Sequence, residues 1–134
     1  MNRDEILAMK PGRELDSAIK RHIFGIDVTV DNYYKLGIGY YKVEPYSVDI
    51  ASAWEVVEKI WNLPDVTQNP YSISKYTMDN GINGYCVEWC YWGLCIDGGC
   101  NKKACNGTKD KYVIAETAPE AICKSALLFA LEVD

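Results

Sequence analysis

The apolar positions of this chain change rhythm several times, and each rhythm predicts an element. Leu15, Ala18, Ile19, His22 and Ile23 recur at helical spacing, which predicts a helix over Arg13–His22 closed by Gly25. Ahead of it, Asn2 and Glu5 stand three apart before Ile6 and Leu7 in the arrangement of a capping box, and Pro11-Gly12 breaks that first turn. Ile26, Val28 and Val30 then alternate with Asp27, Thr29 and Asp31, the period-two pattern of a half-buried strand. Asn32 permits a turn, and the Tyr-rich residues 38–43 are expected as the antiparallel partner.

A second helical stripe combines Ile50, Ala53, Trp54, Val57, Ile60 and Trp61, with Ser47 as the expected N-cap, Asp49 in the first turn and Pro64 as the stop. Strands resume over residues 72–78 and 84–92, joined by a turn at 81–84. In the second of these, Tyr85, Val87, Trp89 and Tyr91 share one face, and Cys86, Glu88, Cys90 and Trp92 the other. Apolar residues thin out after residue 93, where Asp97-Gly98-Gly99 and Asn106-Gly107 mark turns in a long loop or small irregular hairpin. A last strand, residues 111–116, leads into Thr117-Ala118-Pro119-Glu120, a second capping box with proline in the first turn. The helix after it carries Ile122, Ala126, Phe129 and Ala130 on one face. The order α-β-β-α-β-β-β-α predicts an α+β fold, an antiparallel sheet of about five strands packed by helices. One domain is expected over residues 1–134, with a Cys- and Gly-rich irregular insertion around 93–108.

Composition narrows the classes. With 134 residues, 49% of them apolar and 25% charged, the chain can bury a single core without staples. No apolar run approaches the roughly 18 residues a membrane span needs, and the charged start Met1-Asn2-Arg3-Asp4-Glu5 does not read as a signal peptide. Fourteen Lys and Arg against nineteen Asp and Glu leave a net charge of −5, which disfavours duplex nucleic acid as a partner. Neither a membrane nor duplex nucleic acid is expected.

No reaction is legible. There is no G-x-S-x-G, P-loop, H-x-x-x-H or Rossmann fingerprint, so neither an enzyme nor a cofactor is expected. His22, the single histidine, falls on a helix stripe where a packing role is the ordinary one. Cys86, Cys90, Cys95, Cys100 and Cys105 follow one another at intervals of four or five, and Cys123 stands apart. Lacking any C-x₂-C knuckle, they fit a structural zinc site poorly, and unbridged thiols are expected. The aromatics say more: ten Tyr and four Trp against two Phe are side chains that stack and hydrogen-bond at once. Tyr33-Tyr34, Tyr40-Tyr41, Tyr46 and the run Trp89-Cys90-Tyr91-Trp92 cannot all be buried, and Lys102-Lys103 add positive charge nearby. Rings beside lysines suit a base and its phosphate. They equally suit a half-covered sheet whose edge lysines prevent aggregation.

Three blocks carry a resemblance: residues 1–16 (MNRDEILAMKPGRELD), 45–59 (PYSVDIASAWEVVEK) and 116–128 (ETAPEAICKSALL). In this order and spacing the chain resembles the phage ABA-sandwich domain family of small phage and prophage proteins. The resemblance implies an α-β-α layered arrangement, a phage accessory role and the cytoplasm of a bacterial host, where disulfides are disfavoured. It implies no established chemistry. With no catalytic constellation, the expected function is sequestration of a nucleotide-derived immune signal, a cyclic dinucleotide or cyclic ADP-ribose type, by a homo-oligomer. The alternative is a protein-interaction module that inhibits a host protein. The expected ligand site gathers Tyr46, Ser47, Trp89, Tyr91, Trp92, Lys102 and Lys103, with backbone N–H groups at a helix start near Ser47 meeting phosphate.

Overall fold

The computed structural model describes residues 1–62, 71–77, 81, 83–89, 95–96, 99–100 and 113–131. The capping box forms as expected: the Asn2 side chain accepts from Glu5 N and Glu5 accepts from Asn2 N, both at 2.9 Å, and starts α1 (Arg3–Ala8). Gly12, at a φ of 129° that other residues rarely adopt, begins α2 (Arg13–His22). Glu14 and Asp16 in its first turn and Lys20, Arg21 and His22 in its last complement the helix dipole. Leu15, Ala18, Ile19 and the following Ile23 are buried as predicted, whereas His22 is exposed.

The predicted strand at Ile26–Val30 is not a strand. Ile26 and Val28 do turn half-buried onto the core, but the backbone bonds leave no ladder. Ile26 N donates to Lys20 O at 3.1 Å, Arg21 Nη2 donates to Val28 O at 3.2 Å and Arg13 Nη2 to Val30 O at 3.4 Å. Guanidinium groups from α2 take the carbonyls that a neighbouring strand would have taken. The hairpin starts later, with β1 (Tyr33–Leu36) and β2 (Gly39–Lys42) joined by Gly37-Ile38. Gly37 lies at φ 64°, as a two-residue hairpin loop with glycine first requires.

Helix α3 (Ile50–Trp61) is capped by Asp49, which accepts from Ser52 N at 2.9 Å; Ser47 is not its cap. Its buried stripe is Ala53, Val56, Val57 and Ile60. Ile50 and Trp54, 54% and 42% exposed, sit beside that stripe, which corrects the expectation that Trp54 is core. Strand β3 (Tyr71–Thr77) pairs antiparallel with β4 (Asn83–Trp89) from Tyr71↔Trp89 to Thr77↔Asn83. A short hairpin, β5 (Cys95–Ile96) with β6 (Gly99–Cys100), follows. Then β7 (Val113–Ala115) pairs with the other edge of β4. The class is α+β, but not one sheet of about five strands. Among the described residues the strands form a three-stranded sheet ordered β3-β4-β7 and two separate two-stranded ones.

The last helix, α4 (Ala118–Ala130), is the centre. Thr117 caps it by accepting from Glu120 N, and Pro119 sits in its first turn. The Glu120 carboxylate does not complete the box, because it pairs at 2.9 Å with Lys124 one turn on. Residues 121–129 are all buried, since α4 contacts α1, α2, α3, β4 and β7; the single apolar face predicted for it is too narrow. Each Leu or Ile fully buried here contributes about 1.5–3 kcal/mol. Lys124 survives in this setting by donating to Leu7 O at 2.9 Å, one of the carbonyls that the end of α1 leaves without a helical partner. Cys123, a buried free thiol on the same helix, has its pKa pushed well up by burial.

Candidate functional site

The β1–β2 hairpin has two unlike faces. Residues paired across a ladder share a face, so Tyr34 with Tyr41 forms one and Tyr33, Lys42, Lys35 and Tyr40 form the other. On the inner face Tyr34 is buried, and its ring lies 5.9 Å from that of Tyr41. The Tyr34 hydroxyl donates to Glu44 Oε1 at 2.6 Å and the Tyr46 hydroxyl to Glu44 Oε2 at 2.7 Å. Lys20, rising from α2, donates to Glu44 Oε2 at 2.9 Å and to the Tyr46 hydroxyl at 3.2 Å.

The Lys20 ammonium also stands 4.0 Å from the Tyr34 ring centroid, 5.2 Å from that of Phe24 and 5.8 Å from that of Tyr46. Phe24 and Tyr46 are themselves stacked at 5.3 Å. A buried ammonium is tolerable only with such partners: a carboxylate, a hydroxyl and the negative faces of three rings. Burial alone would raise the Glu44 pKa, but hydrogen bonds from Tyr34, Lys20 and Tyr46 outweigh it and hold it at about 2. Its negative charge returns the effect: the bond to Glu44, then burial, pushes the Tyr34 hydroxyl to about 12. Burial first, and Glu44 second, raise Tyr46. Glu44 is therefore ionised at neutral pH, and with Lys20 it pins the hairpin from behind.

On the inner face Tyr34 alone is buried, Tyr41 being 51% exposed, whereas the outer face is exposed throughout. Tyr33, Lys35, Tyr40 and Lys42 are exposed, with each tyrosine directly opposite a lysine and the two tyrosines diagonal. At the tip, Leu36 is 61% exposed and Ile38 fully so. The signal was present in the sequence as Tyr33-Tyr34-Lys35 and Tyr40-Tyr41-Lys42 repeated across Gly37-Ile38-Gly39. Sequence reasoning marked the tyrosines and passed over their lysines.

Of the site residues expected from sequence, Tyr46 and Ser47 are both about 1% exposed. Tyr46 belongs to the network under the hairpin. Ser47 faces α2, with its N and Oγ both donating to Asp16 Oδ1 (2.7 and 2.6 Å) and its Oγ accepting from Gly12 N at 2.8 Å. Burial raises the Asp16 pKa, and these bonds from Ser47 partly offset the rise. Neither residue stands at a helix start: α3 begins beyond them, behind Asp49. Trp89 ends β4, and Tyr91, Trp92, Lys102 and Lys103 lie outside the described residues. Cys86 is half-buried in β4. Among the described residues no group of three His, Cys, Asp or Glu could hold a metal ion, and no helix is long and apolar enough to cross a membrane.

The model of the phage ABA sandwich domain matches residues 18–127. Among solved structures, the chain is similar to a phage protein from Bacillus cereus ATCC 14579, with a TM-score of 0.58 and 32% sequence identity over 90% of this chain and 91% of that one. No match was found among curated proteins.

Proposed function

The chain belongs to the phage ABA sandwich domain family, and from that premise we propose that it is a phage accessory protein that binds its target without turnover, through the outer face of the β1–β2 hairpin. The observation that carries this reading is the exposed set Tyr33, Lys35, Tyr40 and Lys42 on a hairpin fixed from behind by Lys20 and Glu44. A ring that stacks on a base is worth about 1–3 kcal/mol, and an adjacent ammonium suits its phosphate. The ligand proposed is a nucleotide-derived immune signal of the host, a cyclic dinucleotide or cyclic ADP-ribose type, held in the bacterial cytoplasm. One face of a two-stranded hairpin cannot enclose a small molecule alone, so this reading requires a homo-oligomer whose second copy supplies the other wall.

One observation favours a second reading. Leu36 and Ile38, exposed at the tip, suit a host protein docking on the hairpin, which needs no second copy. The two are separated by incubating the protein with a panel of cyclic nucleotides, heating it to release what it holds, and measuring its mass by light scattering. Intact nucleotide released from an oligomer, and lost in the Tyr33→Ala, Tyr40→Ala double variant, supports sequestration. A monomer that releases none removes that reading and leaves the protein partner. A hydrolysed ligand would make the chain an enzyme.

A further inference from the structure

Between α2 and the segment that follows it lies a solvent-open cleft of about 340 Å³, lined by Arg13, Glu14, Ser17, Arg21, Thr29, Val30 and Asn32. Arg13, Ser17 and Arg21 are four apart on one line of α2. The guanidiniums are fixed by their bonds to Val30 O and Val28 O. Those carbonyls are two residues apart, hence no more than about 7 Å apart along the chain, so both cations are anchored on one short stretch of backbone although their Cα atoms are about 12 Å apart on the helix. Among the described residues each uses one of its N–H donors and keeps the rest.

The other polar groups are also left as donors. Ser17 Oγ donates to Asn32 Oδ1, which takes the acceptor of that amide. The Asn32 main chain is engaged as well, donating to Thr29 O and accepting from Val43 N, both at 3.0 Å. Its Nδ2 has no hydrogen bond among the described residues, although Asn32 is 4% exposed and lines the cleft. With no protein acceptor among the described residues it is left to the solvent of the cleft, where a ligand oxygen can take its N–H. Thr29 Oγ1 accepts from Tyr33 N at 3.2 Å, which leaves its own proton to donate. Against these donors stands one carboxylate, Glu14. A cation would find a single carboxylate here, whereas an oxyanion finds two guanidiniums, an amide and a hydroxyl.

We propose that this cleft is an oxyanion site, in which Arg13 and Arg21 bridge one phosphate-type group while Asn32 Nδ2 and the Thr29 hydroxyl complete its hydrogen bonds. Its ligand class is a phosphate or pyrophosphate group, and it stands whether or not the hairpin binds nucleotides. The test is a titration of ¹⁵N-labelled protein with inorganic phosphate and pyrophosphate, against sodium chloride at matched ionic strength. The Asn32 side-chain amide and the arginine Nε–H resonances should shift saturably with the phosphates and not with chloride. The Arg13→Gln, Arg21→Gln double variant should keep the parent's spectrum elsewhere and bind at least about ten-fold more weakly. Glu14→Gln should bind more tightly, and Tyr33→Ala with Tyr40→Ala should leave this titration unchanged while testing the hairpin separately. Shifts that do not saturate, that chloride reproduces, or that survive in the arginine double variant overturn the site.

Discussion

Helix α4 and the β1–β2 hairpin use the same kinds of residue for opposite ends. In α4 the apolar side chains of residues 121–129 are buried on every side. The charged Lys124 among them serves the packing by meeting Leu7 O and Glu120. In the hairpin Tyr33 and Tyr40 face outward and Leu36 and Ile38 stand exposed at the tip, while a charged pair, Lys20 and Glu44, lies behind. A two-stranded hairpin alone is marginal in water. This one is held by an ion pair and hydroxyl bonds converging on Glu44. Polar contacts at fixed angles set its position, and its rings and tip are left for something else to touch.

The contrast can be broken by mutation. The largest effect belongs to α4, where Leu127→Ala should cost about 2–5 kcal/mol in urea denaturation by emptying a fully buried site. Lys20→Met should cost about 2 kcal/mol, because it leaves the Glu44 carboxylate without its cation. Acid should act through the same carboxylate. With its folded pKa at about 2 rather than 4.5, the stability Glu44 supplies is present above pH 4.5 and is lost as pH falls toward 2. The urea midpoints of the parent and of Glu44→Gln should therefore converge over that window. If their separation is constant from pH 6 to pH 2, Glu44 is not held as described.

Smaller effects sharpen the other side. Trp54→Ala, at an exposed position beside the α3 stripe, should cost less than about 1 kcal/mol. A loss comparable with Leu127→Ala would return Trp54 to the core. Tyr33→Ser with Tyr40→Ser should change stability by no more than about 0.5 kcal/mol per site, since neither ring is buried.

Much of the frame was legible in local pattern. The Asn2–Glu5 box, the cap at Thr117 and the pairing of β3 with β4 each depend on residues close in sequence, and each formed. What failed depended on distant partners. Alternation at Ile26–Val30 reported Ile26 and Val28 as half-buried correctly, but not the exposed Val30, and could not report that arginines would take the carbonyls. Ser47 reads as a cap until Asp16, 31 positions earlier, claims it. Trp54 and Val56 both extend an apolar stripe through Ala53 and Val57, and periodicity does not say which side α4 lies on. The buried lysines were invisible for the same reason: Lys20 meets Glu44 across 24 positions, and Lys124 meets Leu7 across 117. Of the ligand site, the tyrosines of the hairpin were readable and the lysines opposite them were not, because register is a property of the pair.

The central claim is that the hairpin is a pre-built surface held rigid from beneath, and amide hydrogen exchange tests it most directly. In the parent, Val43 N, bonded to Asn32 O at the base of the hairpin, and the amides paired between β1 and β2 should be protected well above the unfolded-chain rate. In Lys20→Met that protection should collapse while the amides of α4 keep theirs. Hairpin amides that exchange in the parent as fast as in an unfolded chain would contradict the account.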